Sequence, residues 1–284
     1  MTGLEEATTF DCDGETLIGI LHRPRRALRR GIILVPGAPQ YRVGSHRQSV
    51  LLARFLAEQG VAVLRFDYRG MGDSDGAFRS FEQVSEDIGA AVAELSARVP
   101  EVQETFLWGL CDGASASCFY AAESPELAGL VLVNPWVRDR DTTDQALVRH
   151  YYRERLVSAE LWRRLFTGKL DIGRALGDLT GTLGRLVLRK ARPSRQTDLE
   201  RPLNERVATA LSAYQGRVLL ILSGADLTAQ EFETSVLERD AIKAWLAQRE
   251  RVLLRLEGAN HTYSKAAWRE RVHLATRDWL LDGL

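Results

Sequence analysis

Short apolar runs recur along the chain and predict the strands of a parallel sheet. A strand that helices cover on both faces has a continuously apolar sequence, without strict alternation of apolar and polar residues. The runs of this type are 31–35, 61–66, 105–108, 127–133, 218–222 and 252–256. Two earlier β-rich runs, 8–12 and 16–21, flank the tight-turn dipeptide Asp13-Gly14 and predict a hairpin at the start of the chain.

Helical patterns separate most of these runs. They cover residues 49–59, 80–98, 114–122, 231–248 and 265–281. The second pattern opens with Ser80 and Gln83, the spacing of a capping box. Alternation of strands and helices predicts a doubly wound α/β sheet, mostly parallel, with right-handed crossovers.

Residues 138–204 interrupt this alternation. The segment has no convincing strand, is rich in arginine, and shows a helical pattern broken by several glycines. We interpret it as a helical cap inserted over the site, which divides the chain into a core of residues 1–137 and 205–284 and a cap of residues 138–204. The alternative is a mobile loop with short helices and no catalytic role.

Composition and charge narrow the class of protein. The chain has 284 residues, of which 45% are hydrophobic and 27% charged, as in ordinary globular proteins. Its formal net charge of zero gives no indication of a nucleic-acid partner. No apolar run reaches the roughly 18 residues that span a bilayer. The polar, acidic start has no signal-like apolar stretch, and three scattered cysteines favour free thiols, so we expect a cytoplasmic protein.

Cys111 lies in a Gly-x-Cys-x-Gly pentapeptide, residues 109–113, between an apolar run and a helical pattern. This is the pattern of a nucleophile elbow, a sharp turn in which side chains at the two glycines would collide with backbone. The helix N-terminus that follows favours a thiolate. Two alternatives are an inert buried cysteine and a shifted register with Ser115 as nucleophile. We favour Cys111, because Ser115 would lie a turn further into the helix.

A histidine and an acid follow in the order typical of such turns. His261 lies in a Gly/Asn-rich loop after the last apolar run, where a general base is expected. Asp226 follows the preceding run and is the favoured acid that orients it. Its alternative role is that of a turn residue. Rival acids are Asp139, Asp141 and Glu257.

Two backbone N–H groups are candidates to stabilise an oxyanion. One belongs to Asp112, directly after the cysteine, and the other to the loop after run 31–35. In that loop Pro39 has no N–H, so Ala38 is the predicted donor.

Three basic residues lie just beyond this loop, Arg42, His46 and Arg47. They are candidate substrate-binding residues, because such side chains can hold a phosphate or carboxylate. The alternative is a solvated basic surface. We see no zinc-like cysteine and histidine spacing and expect neither a metal nor a cofactor.

With these motifs in place, the chain resembles the α/β-hydrolase superfamily outside the predicted cap. Residues 67–74 look like its Asp-x-Arg-Gly-x-Gly-x-Ser loop. Residues 37–48, 108–112 and 223–228 look like the pattern of the exosortase A system-associated hydrolase 1 family. That resemblance implies a bacterial enzyme encoded near exopolysaccharide and protein-sorting genes. Dienelactone hydrolases, also with cysteine at the elbow, are similar at this site but usually smaller.

The motifs predict an acyl hydrolase or acyltransferase that works through a Cys-His-Asp triad and a thioester intermediate. An ester or thioester would be the donor, free or carried by an acyl carrier protein or coenzyme A. One alternative is a non-catalytic scaffold that retains the fold. Another is a redox switch at Cys111, although Cys118 lies two turns along the same helix, with no obvious role as a resolving thiol.

Overall fold

An eight-stranded sheet forms the centre of the part of the chain that the computed structural model describes, residues 4–37, 40–138, 201–248 and 250–282. The strand order is β1-β2-β4-β3-β5-β6-β7-β8. Pairs β1–β2 and β2–β4 are antiparallel, and all other pairs are parallel. The bounds are β1 Leu4–Cys12, β2 Glu15–Arg23, β3 Arg30–Val35, β4 Ala62–Phe66, β5 Glu104–Leu110, β6 Gly129–Val133, β7 Arg217–Ser223 and β8 Arg251–Leu256.

Helices connect the parallel strands, as the alternating pattern predicts. Numbered within the described residues, they are α1 Gln48–Glu58, α2 Ser85–Arg98, α3 Asp112–Glu123, α4 Leu203–Ala213, α5 Leu227–Phe232, α6 Asp240–Leu246 and α7 Ala266–Leu281. Helices α1 and α7 pack against each other, and α2 packs against α3. Strands β3 to β7 are almost completely buried, which explains their largely apolar sequences; buried Arg65 in β4 is an exception. The predicted α/β-hydrolase fold is confirmed.

Two of the predicted helices differ from the structure, one in where it begins and the other in being divided into several pieces. The Ser80 side chain makes no capping hydrogen bond, and a short 3₁₀ turn precedes Ser85, where α2 begins. Residues 231–248 form several pieces, because a π turn follows α5 and Arg239 is extended. Apolar positions stay periodic on each piece, so the sequence pattern did not reveal the breaks.

The predicted cap lies almost entirely outside the described residues, and so does the candidate oxyanion donor Ala38. All residues discussed below belong to one unit, made of residues 1–138 and 207–284. Within the described ranges no helix is long and apolar enough to cross a bilayer.

Candidate active site

Cys111 occupies the sharp turn between β5 and α3. Its backbone has φ 60° and ψ −126°, a conformation that non-glycine residues adopt only under constraint. The flanking glycines explain how this turn fits. A Cβ on Gly109 would lie 2.4 Å from the Gly113 carbonyl oxygen, and one on Gly113 would lie 2.6 Å from the Val35 carbonyl oxygen. The pentapeptide therefore brings three backbone segments closer together than any side chain allows.

The rival nucleophile Ser115 lies inside α3 and is completely buried. Its hydroxyl donates a hydrogen bond to the backbone carbonyl of Trp136. Cys111, in contrast, is only partly buried and lines a pocket. The geometry therefore favours the sulfur over this hydroxyl as the reactive atom.

His261 and Asp226 meet at the carboxyl ends of β7 and β8. His261 Nδ1 lies 2.7 Å from Asp226 Oδ2. An ionised carboxylate can only accept a hydrogen bond, so Nδ1 carries the proton and Nε2 is left as the basic nitrogen. The histidine side chain is 32% exposed and the aspartate side chain 8% exposed.

Asp226 also begins α5. The backbone N–H groups of Thr228 and Ala229 donate to its two carboxylate oxygens, each at 3.2 Å. Burial opposes ionisation of this carboxyl, but the hydrogen bond and charge of His261 and the two backbone donors outweigh it, and the pKa of Asp226 is lowered. The turn role and the histidine-orienting role considered for Asp226 thus coexist in one side chain.

A small pocket of about 60 Å³ opens beside the sulfur. Cys111 and His261 both line it, so the candidate nucleophile and the candidate base face the same pocket. The other lining residues are Val35, Pro36, Gly37, Gln40, Tyr41, Gly44, Gln48, Ser49, Trp108, Leu110 and Asp112. Among the described residues, no group of three or more His, Cys, Asp or Glu side chains could hold a metal ion.

Asp112, the first residue of α3, is buried at 4% exposure. Its carboxylate packs against Gly37 in the loop after β3, where an added Cβ would lie 2.5 Å from Asp112 Oδ1. Glycine at position 37 therefore leaves room for this carboxylate. The backbone N–H of Asp112 remains the candidate oxyanion donor at the helix start.

Asn134 is hydrogen-bonded to three residues around the site, and the sequence did not indicate this role. It follows β6, has φ 44° and is completely buried. Its side-chain amide donates to Ser223 Oγ at 2.9 Å and to the His261 carbonyl at 3.0 Å. Its oxygen accepts from the Ser223 N–H and from the Tyr263 hydroxyl. A single asparagine after an apolar run was the only signal.

Of the three candidate substrate-binding residues, Arg42 is held inside the fold. Its guanidinium pairs with Asp67 and Asp73, and its N–H donates to Asp67 Oδ1 at 2.6 Å. The Asp67 side chain is fully buried, and this burial raises its pKa despite the arginine. Arg42 therefore anchors the loop that forms one wall of the pocket. His46 and Arg47 are exposed, both with left-handed backbone.

Residues 30–176 match the protein family described as serine aminopeptidase, S33. The match covers the predicted nucleophile turn and the loop after β3. No curated protein matches the chain.

Several solved structures share the fold along nearly the whole chain. The α/β-hydrolase GrgF from Penicillium sp. sh18 is 20% identical with a TM-score of 0.65, over 98% of both chains. An esterase from Pyrococcus furiosus is 16% identical with a TM-score of 0.61, over 98% of this chain and 90% of the esterase. A dienelactone hydrolase from Anabaena variabilis is 15% identical with a TM-score of 0.62, over 99% and 98% of the two chains. At these identities the likeness establishes the fold.

Proposed function

Because this chain belongs to the S33 serine aminopeptidase family of hydrolases, we propose that it is an α/β-hydrolase enzyme that cleaves or transfers acyl groups from esters or thioesters. The observation that carries the proposal is the site itself. Cys111, on a strained turn, shares a pocket with His261, whose Nδ1 is 2.7 Å from Asp226. Where the family name refers to serine, this chain has a thiol, which favours a thioester intermediate over an oxygen ester.

The proposed reaction has two steps. His261 Nε2 takes the proton of the Cys111 thiol as the sulfur attacks the substrate carbonyl. The Asp112 N–H, with the Ala38 N–H as the proposed second donor, stabilises the oxyanion, an effect of roughly 3–4 kcal/mol per donor in comparable sites. The leaving alcohol or thiol departs with the proton from His261, and the acyl group remains on sulfur as a thioester.

In the second step an acceptor attacks this thioester. Water gives hydrolysis, and an alcohol or amine gives transfer. In each case His261 accepts the proton of the attacking group and returns it to the sulfur, so the enzyme ends as it began. Asp226 holds the imidazole in the required tautomer and stabilises its charged form.

The donor we favour is small or attached to an acyl carrier protein or coenzyme A. Exposed His46 and Arg47 do not line the pocket but lie in the chain between its lining residues Gly44 and Gln48, and we propose them as contacts for phosphate or carboxylate groups of the donor. Arg42 contributes by holding the loop that carries them. Among the similar structures, the names esterase and dienelactone hydrolase support an ester as the acyl donor.

The setting we propose is bacterial exopolysaccharide or exosortase-associated biosynthesis, as the sequence resemblance suggests. All three cysteines are free thiols in the structure. A cytoplasm that keeps thiols reduced suits a catalytic Cys111.

Intact mass spectrometry tests the proposal. The protein is incubated with acetyl, butyryl and aromatic esters and thioesters, and its mass is compared with that of Cys111→Ala. Cys118→Ala is the matched control, because this thiol is buried in α3 and its pKa is raised by burial. We expect an acyl adduct on the wild type and on Cys118→Ala but none on Cys111→Ala. Decay of the adduct in water, or only after an amine or alcohol is added, separates hydrolase from transferase.

Two results would count against the proposal. An adduct that persists in Cys111→Ala and maps to Ser115 would show that the nucleophile is wrong. Absence of any adduct or turnover over the whole donor panel would favour a non-catalytic scaffold.

A further inference from the structure

Two buried polar side chains beside Cys111 have unused hydrogen-bonding capacity. Gln48 is 7% exposed and Trp108 is 4% exposed. Trp108 Nε1 is buried without a hydrogen-bond partner, and the Gln48 amide makes no side-chain hydrogen bond within the described residues. Buried polar groups in folded proteins are almost always paired, so the unpaired indole N–H at this pocket, with the Gln48 amide beside it, indicates a ligand group.

The same two residues connect the pocket at Cys111 with a second, smaller one of about 10 Å³. This second pocket lies between α1 and α7. Besides Gln48 and Trp108, its lining residues are Leu52, Tyr263, Arg269, Val272 and His273. An acyl chain that extends from the sulfur toward α1 would therefore reach Gln48 and Trp108 before it reached the apolar Leu52 and Val272.

The second pocket is lined mainly by hydrogen-bond donors, whereas the Asp112 carboxylate lines the pocket at Cys111. An indole N–H and a guanidinium can only donate. Arg269 forms no ion pair with any described residue. The complementary ligand group is an oxygen that accepts hydrogen bonds.

We propose that Gln48 and Trp108 bind an oxygen atom on the acyl group, so that the enzyme selects short acyl chains with a hydroxyl, keto or carboxylate oxygen a few bonds beyond the reacting carbonyl. The proposal rests on the acyl-transfer function proposed above. The pocket is small, about 60 Å³, and suits a short chain. A purely alkyl chain would fill the pocket but leave the indole N–H unpaired. Sites that hydrogen-bond a substrate oxygen discriminate strongly against analogues that lack it.

Matched acyl thioesters with one common leaving group test this selectivity. Butyryl, 3-hydroxybutyryl and succinyl N-acetylcysteamine thioesters share a four-carbon chain and differ in the added oxygen. We expect kcat/KM for the hydroxylated or carboxylated donor to exceed that for butyryl by about tenfold. Trp108→Phe and Gln48→Leu should each remove most of this advantage, so that the oxygenated donors and butyryl react with similar kcat/KM in each variant. Comparison of succinyl with 3-hydroxybutyryl shows whether the oxygen is charged.

Trp268→Phe and Gln103→Leu are the control variants, since neither residue lines either pocket. Both should keep the wild-type preference. Equal kcat/KM for the three donors, or a uniform loss in Trp108→Phe and Gln48→Leu, would overturn the proposal.

A second readout separates this inference from the proposed function. Iodoacetamide alkylation of Cys111 is followed by mass, with succinate, 3-hydroxybutyrate or butyrate present. The oxygenated acids should slow alkylation more than butyrate in the wild type, and this difference should vanish in Trp108→Phe and Gln48→Leu. Protection without turnover would support the subsite and contradict the acyl-transfer function. Turnover without selective protection or selectivity would contradict only the subsite.

Discussion

The side-chain amide of Asn134 donates a hydrogen bond to the backbone carbonyl of His261, at 3.0 Å and across 127 positions of sequence. The same side chain binds Ser223 at the end of β7. One buried asparagine therefore joins the ends of β6 and β7 to the loop that carries the candidate base. We expect the position of the imidazole to depend on this asparagine, which is not one of the proposed catalytic groups.

Replacing Asn134 tests this dependence. In Asn134→Ala the Ser223 N–H and the His261 carbonyl lose their partner, and a residue that tolerates φ 44° less well is introduced. We expect the free energy of unfolding to fall by roughly 2–4 kcal/mol and kcat to fall at least tenfold. Urea unfolding and steady-state kinetics measure the two effects. Gln103→Ala, at an exposed position, is the control, and an unchanged kcat in Asn134→Ala would refute the link.

The lowered pKa of Asp226 predicts how stability depends on pH. A carboxyl whose folded pKa lies below its ordinary value of 3.8 stabilises the fold above that value, and this contribution is lost as the pH falls through the folded pKa. The wild type should therefore be more stable than Asp226→Asn at pH 6, and this difference in stability should narrow below about pH 4. Thermal unfolding from pH 3 to pH 7 measures it, with exposed Asp240→Asn as control. A stability difference that stays constant over this pH range would show that the charge of Asp226 contributes nothing to stability.

The close backbone approach at the turn around Cys111, the candidate nucleophile, predicts a large effect of one added methyl group. In Gly109→Ala the new Cβ would lie 2.4 Å from the Gly113 carbonyl oxygen, and the backbone must move. We expect a loss of more than roughly 3 kcal/mol in stability, or no folded protein. Gly89→Ala is the matched control, because in α2 its Cβ meets only Tyr120 at ordinary distance and should add about 0.5–1 kcal/mol. Similar stability of the two variants would contradict the tight turn.

The ion pair between Arg42 and Asp67 predicts a structural effect that differs from that of a substrate-binding residue. Arg42→Gln leaves a buried carboxylate without its cation and should cost roughly 3–5 kcal/mol of stability, much of which Asp67→Asn in the double variant should restore. KM for charged and neutral donors should change alike. Arg47→Gln should instead raise KM for anionic donors only. An effect of Arg42→Gln confined to anionic donors would show that it binds substrate directly.

The elements of this fold could be predicted because their signals are local. The strands buried on both faces are largely apolar runs, and the two glycines around Cys111 are visible within five positions. The placement of His261 and Asp226 follows from where parallel strands end, since these ends meet at one edge of the sheet. Their separation of 2.7 Å is a detail that the sequence order alone does not contain.

The remaining features depend on partners far apart in the chain. Arg42 looked free to bind a substrate because Asp67, 25 positions away, gives no sign of its orientation. Asn134 looked like an ordinary loop residue, because its partners lie in two later loops. The break of predicted helix 231–248 was hidden because its pieces keep periodic apolar positions on either side of the extended Arg239.

The carboxylate of Asp226 has one further consequence, for redesign. Oδ1 accepts from the Thr228 N–H, while Oδ2 is shared by the Ala229 N–H and His261 Nδ1. A glutamate is longer by one methylene. Its carboxylate could therefore accept either from the imidazole or from the first N–H groups of α5, but not from both. Relocating the acid to another strand would oblige an engineer to supply α5 with a new first residue as well. The candidate triad acid and the first residue of α5 are the same side chain, so neither can be moved without replacing the other.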